Sequence, residues 1–158
     1  MEKHKKIKDF IVPVHEHPHL PYWGTLKEAV VQLNLAYEQG YQVVLVFDEA
    51  YKLVGMLSQK DILQALDPKM GHRYKESAPL LWNELPQSGI KDRLSRPIKD
   101  FMSKAKTTFG AEDTILKAVQ TMLQNGDVIS PVMDGNKLIG VVRLKDLFHE
   151  ITNLVLTL

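Results

Sequence analysis

No cysteine occurs among the 158 residues. That excludes disulfide staples, thiolate metal sites and a cysteine nucleophile, and it suits a reducing compartment. Long apolar runs are also missing. No stretch approaches the roughly 18 uninterrupted apolar residues of a membrane span, and the basic start MEKHKKIKDF has no apolar segment behind it that would make a leader. Charge of one sign is not in excess either: twenty Lys and Arg against nineteen Asp and Glu leave a net +1. Such a balance gives no global field to steer the chain onto nucleic acid or a membrane surface. Catalytic signatures are absent as well: there is no P-loop, no G-x-S-x-G elbow and no H-E-x-x-H. What is present, 44% hydrophobic and 25% charged residues, predicts a soluble, cytoplasmic, non-enzymatic globular protein with one sizeable core.

The most informative positive feature is an internal repeat. Ile7-Lys8-Asp9-Phe10-Ile11 returns as Ile98-Lys99-Asp100-Phe101-Met102. Each copy leads, through an irregular stretch, to a Thr-led helical pattern, Thr25 to Gln39 and Thr114 to Asn125. In the first, Leu26, Ala29, Val30, Leu33 and Tyr37 fall at helical spacing, Thr25 and Glu28 form a capping box, and Gly40 closes the run. In the second, Ile115, Val119, Met122 and Leu123 make the stripe, and Gly126 stands where a left-handed residue ends a helix.

Two apolar runs around a polar turn follow each helix: QVVLVF-DEAY-KLVGML, then VISPVM-DGN-KLIGVV. Each predicts a β-hairpin that leads into a final helix. Lys52-Leu53-Val54-Gly55 matches Lys137-Leu138-Ile139-Gly140, and Ser58-Gln59-Lys60-Asp61 matches Arg143-Leu144-Lys145-Asp146. The expected organisation is a first β-α-β-β-α repeat over 7–66, a connector over 67–97 with a short helix at LLWNEL, a second repeat over 98–151, and a helical extension over 152–158. A repeat of about 60 residues buries too little surface to be comfortable alone, so the two are expected to pack together.

This ordered recurrence resembles the tandem cystathionine-β-synthase (CBS) domain family, the pair called a Bateman module. The residues that carry the resemblance are Ile98 to Met102, Pro131-Val132-Met133-Asp134, and the Gly55, Ser58, Asp61 pattern. It implies an α+β fold of two pseudo-twofold repeats whose clefts hold AMP, ADP, ATP or a related adenosyl ligand. It also implies a sensor without a catalytic cofactor, commonly a homodimer, whose signal passes to a separate effector protein.

The residues themselves speak to such a cleft. Ser58 stands where a strand turns into a helix, and the free amides of a helix start attract phosphate. Asp61, one turn on, is suited to accept from a ribose diol, the role that the resemblance gives its position. Ser-x-x-Asp is equally the pattern of a helix cap. In the second repeat Arg143 replaces Ser58 while Asp146 keeps the place of Asp61; a guanidinium there suits a phosphate, or simply pairs with Asp146. Val43, Val44, Ile129 and Ser130 are candidates to line the base. Thr107 and Thr108, in an expected early strand, are candidates too, or plain strand residues. Gly55 lacks the Cβ that would hinder a close backbone approach. The first repeat has Leu45 where the second has Pro131, so the clefts are expected to be unequal.

His15, His17 and His19 alternate and would share one side of an extended chain, a weak candidate for a metal site that His4, His72 or His149 could complete. They support the alternative of a metal-responsive or ligand-independent interaction scaffold. Apolar residues at 144, 147, 148, 151, 154, 155 and 158 form a stripe that either packs on the core or meets a partner. Trp23 and Trp82 are candidates for packing or for an interface, and Trp82, beside Leu80, Leu81 and Leu85, is the better candidate for a partner contact.

Overall fold

A computed structural model describes residues 5–68 and 89–158. The helix expected at LLWNEL, and with it Trp82, His4 and His72, lies outside them. The fold is mixed α+β: β1 (His19–Pro21), α1 (Leu26–Leu35), β2 (Val43–Phe47), β3 (Leu53–Ser58), α2 (Gln59–Leu66), α3 (Ile90–Leu94), α4 (Ile115–Asn125), β4 (Ile129–Asp134), β5 (Lys137–Arg143) and α5 (Leu144–Leu156). These elements form two compact units. The first comprises the described residues of Pro18–Lys104; the second joins those of Met1–His17 to Ala105–Leu158.

In the first unit, Thr25 Oγ1 accepts from the Glu28 amide at 3.2 Å and starts α1. Leu26 and Ala29 turn inward and are fully buried. The helix stops at Leu35, sooner than its pattern suggested, and single turns carry the chain to Gly40 at φ 78°. Tyr37 therefore leaves the stripe and is exposed. β1 runs parallel to β2, and β2 antiparallel to β3. One face of this sheet, through Val44, Val46 and Leu57, meets Leu26, Ala29, Ile62, Ala65 and Ile98.

The second unit repeats this plan with a smaller sheet. Thr114 caps α4 through the Lys117 amide at 3.2 Å, and Gly126 ends it at φ 70°. β4 and β5 pair antiparallel. In the place of a first strand there is one bridge, Phe109 to Val132. The core gathers Ile7, Phe109, Ile115, Ala118, Met122, Val132, Val142 and Leu147. Leu144, Leu147 and Ile151 of α5 pack on it, whereas Phe148, Leu154, Val155 and Leu158 are exposed.

The leading segments are 3-10 turns, Ile7–Phe10 and Ile98–Asp100. Apolar residues three apart, Ile7 with Phe10 and Ile98 with Phe101, fit a three-residue turn better than the two-residue period of a strand. Each segment also completes the core of the other repeat. Ile7 donates its amide to Asp113 and Lys8 to Ala111; in the first unit Ile98 donates to Gly24 and Lys99 to Tyr22. Further on, Val12 exchanges two backbone bonds with Val141, and Ser103 two with Met56.

Those last pairings explain the glycines of the K-L-x-G motif. A Cβ on Gly140 would stand 2.4 Å from Ile11 Cγ2 and 2.5 Å from the Val12 carbonyl oxygen; one on Gly55, 2.7 Å from Met102 Sδ and 3.0 Å from the Ser103 carbonyl oxygen. The close approach expected at Gly55 is thus made by the chain's own leading segment.

Candidate ligand sites

Both hairpins deliver the same construction: a strand that ends on a residue capping or flanking a helix, with an aspartate at the third helical position. In the first unit Ser58 Oγ accepts from the Asp61 amide at 3.1 Å, and Asp61 Oδ2 accepts from the Ser58 amide at 3.0 Å. This is a complete capping box at the start of α2. The other carboxylate oxygen, Oδ1, accepts from the Ser103 hydroxyl at 3.2 Å. Directly across the hairpin from Ser58 lies Val43.

In the second unit the chemistry changes. Arg143 provides no side-chain cap to α5. Instead its Nε donates to Asp146 Oδ2 at 2.7 Å and its Nη2 to Oδ1 at 3.1 Å, a bidentate pair. Both side chains are partly buried, 20% and 28% exposed. Ile129 pairs across the hairpin with Arg143, as Val43 does with Ser58.

The remaining candidates divide by face. Because side chains alternate along a strand, Val44 and Ser130 point away from Ser58 and Arg143, toward the cores of their own units. Val44 belongs to the first core, and Ser130 shares a face with Val132 and Val142 of the second. The Ser130 hydroxyl is buried and has no hydrogen-bond partner among the described residues. Thr107 and Thr108 are outside any strand; Thr107 Oγ1 accepts from Asn125 Nδ2 at 2.9 Å, and Thr108 is exposed. The early strand expected there shrinks to the Phe109 bridge.

Ser103 is the residue that sequence reading missed. Its hydroxyl reaches Asp61 across 42 positions of chain, and the matching residue of the first copy, Val12, has no hydroxyl to hint at the role.

Among the described residues no group of three or more His, Cys, Asp or Glu could hold a metal ion. His17 is buried at 2% exposure, whereas the His15 side chain is 81% exposed beside Glu16. Alternation along an extended chain fails here because residues 14–16 form a 3-10 turn. Among the described residues no helix is long and apolar enough to cross a membrane.

The perturbed acids lie away from the two site helices, before α4 and after β1. Lys6, then Lys8, hold the Glu112 carboxyl below its usual range. The Gly110 amide and then Lys117 do the same for Asp113, which precedes the α4 cap. Glu49 raises the Tyr22 hydroxyl, by its charge and by a hydrogen bond.

Comparison with known proteins bears on this geometry directly. No curated protein matches the chain in sequence. Among solved structures, CBSX2 from Arabidopsis thaliana superposes with a TM-score of 0.72 at 19% identity, over 96% of this chain and 97% of that one. A structure of CBSX2 in complex with AMP gives 0.67 at 22%, over 95% and 98%. Protein MJ1225 from Methanocaldococcus jannaschii, suggested to be an archaeal homologue of γ-AMPK, gives 0.69 at 18%, over 96% of this chain and 49% of that one. These likenesses concern the fold. The CBS domain family matches at residues 24–68 and again at 98–153. Two matched segments, each carrying its own hairpin between two helices, make this chain a member of the CBS domain family.

Proposed function

We propose that the chain is a regulatory module that binds an adenine nucleotide, AMP, ADP or ATP, at two unequal sites, and that it passes the bound state to a separate effector protein. The observation that carries this reading is the twofold occurrence of one constellation: Val43, Ser58 and Asp61 in the first unit, and Ile129, Arg143 and Asp146 in the second. In each, an apolar strand residue to meet a base lies opposite a helix start able to meet phosphate, with a carboxylate one turn on for a ribose diol. The solved CBSX2–AMP complex supports the ligand class. Action in the cytoplasm and pairing of two copies belong to the same proposal.

The module would act by differential affinity: a nucleotide that prefers one arrangement of the chain shifts the population toward it. A thermal-shift series with AMP, ADP, ATP and S-adenosylmethionine tests the reading. Free ligand at one hundred times its dissociation constant stabilises the native state by about 2.7 kcal/mol. Unchanged melting with every nucleotide at millimolar concentration would overturn it.

A further inference from the structure

We infer that the site of the second unit is phosphate-gated: it admits an adenine ligand only when a phosphate draws Arg143 off Asp146, whereas the site of the first unit accepts uncharged adenosyl ligands as well. The inference deepens the nucleotide reading and rests on it.

The two aspartates differ in what already occupies them. Asp61 accepts from an uncharged amide, at 3.0 Å, and an uncharged hydroxyl, at 3.2 Å. Neither donor cancels its charge, and the Ser103 hydroxyl can rotate to accept as readily as it donates. A ribose diol therefore meets a fully anionic acceptor with capacity to spare. Asp146 has both oxygens on one guanidinium, at 2.7 and 3.1 Å. Charge-assisted bonds of this kind are roughly twice as strong as neutral ones. A nucleoside offers only neutral hydroxyls in exchange, and the lone pairs left on Asp146 belong to a carboxylate whose charge the guanidinium has already neutralised.

A phosphate changes the exchange. It gives Arg143 a new anion to pair with, so that Asp146 is released as an anionic acceptor for the ribose diol. The start of α5 favours the same outcome. Ser58 caps α2, but Arg143 gives α5 no side-chain cap, so the positive end of that helix is open to an anion in a way that the start of α2 is not. Replacement of one serine by arginine thus converts a ribose-reading site into one that reads phosphate first.

The test is a titration of the 158-residue chain with AMP and separately with adenosine, followed by NMR on backbone amides and on the Arg143 Nε–Hε signal. AMP is expected to shift the Arg143 signal. Adenosine is expected to shift Ser58, Asp61 and Ser103 and to leave Arg143 unmoved, with at least a tenfold difference in dissociation constant at the second site. In Arg143→Gln the preference for AMP should fall to within about twofold, because Asp146 is then free for either ligand. Should this variant fail to fold, the comparison in the unaltered protein decides. Adenosine reaching Arg143 as tightly as AMP would remove the gate and leave the nucleotide reading intact; so would AMP binding only beside Ser58. Absence of binding by either ligand at either site would overturn both.

Discussion

Ser58 and Asp61 hydrogen-bond each other in both directions, each side chain accepting from the other's amide. The pair is therefore a helix cap whatever else it does, and its two roles can be separated by substitution. Asparagine keeps a side-chain oxygen for the Ser58 amide but loses the negative charge. Asp61→Asn is expected to change stability by less than about 1 kcal/mol while weakening nucleotide binding at that site about tenfold. Asp61→Ala should lose both, with about 1 kcal/mol of stability gone. Denaturant unfolding and calorimetric titration measure the two effects; unaltered affinity in Asp61→Asn would leave the cap as the residue's whole role.

Gly55 and Gly140 face the same kind of neighbour with different tolerance. At Gly140 an added methyl meets the Val12 carbonyl, which is fixed by its bond to Val141. At Gly55 the nearest atom is the sulfur of a flexible methionine. Gly140→Ala should therefore cost about 3 kcal/mol or more, and Gly55→Ala about 1–2 kcal/mol. Equal melting temperatures for the two variants would contradict the assigned contacts.

Ile7 and Ile98 are both fully buried, and truncation of either to alanine should cost about 2–5 kcal/mol. The informative quantity is where the loss falls. Ile7→Ala should weaken hydrogen-exchange protection in α4, β4 and β5, while Ile98→Ala should weaken it in α1, β2 and β3. Loss confined to each isoleucine's own repeat would contradict the exchanged cores.

Asp113 gives the pH dependence a sign. Its folded carboxyl titrates below the usual value, chiefly through the Gly110 amide, with Lys117 adding. A lowered acid stabilises the fold at neutral pH, and this contribution fades as the pH drops below the usual carboxylate value of about 4 and through the folded one. Asp113→Asn should therefore be less stable than the unaltered protein at pH 7, with the two melting curves converging in acid. A gap that stayed constant from pH 7 to pH 3 would exclude the linkage.

Much of this was legible in the chain itself, for reasons specific to each element. Thr25 and Thr114 announce their helices because a β-hydroxyl before an apolar stripe has few other uses, and Gly126 marks an end that only a left-handed residue makes cheaply. The hairpins followed from apolar runs of strand length around polar turns. Destination was not legible. Nothing local in Ile-Lys-Asp-Phe says that it will cross to the other repeat's core, since that depends on the distant glycines it is to lie against. Pattern alone also could not choose between cap and ligand for Ser58, nor between ion pair and phosphate for Arg143. Val44 and Ser130 neighbour Val43 and Ile129 in sequence, but strand alternation sends the members of each pair to opposite faces.

The exchange of leading segments sets an order on how the chain can fold during synthesis. The first hairpin and its helices leave the ribosome without Ile98, which belongs at the centre of their core, and must wait for some thirty further residues beyond α2. Ile7 is made before either hairpin but is used only once α4, β4, β5 and the first turn of α5 exist to surround it. Contacts of such long sequence separation slow folding. A ribosome-bound chain that ends between the repeats therefore carries one unfinished core and a leading segment whose core does not yet exist, and separately expressed halves should recover their structure only when mixed.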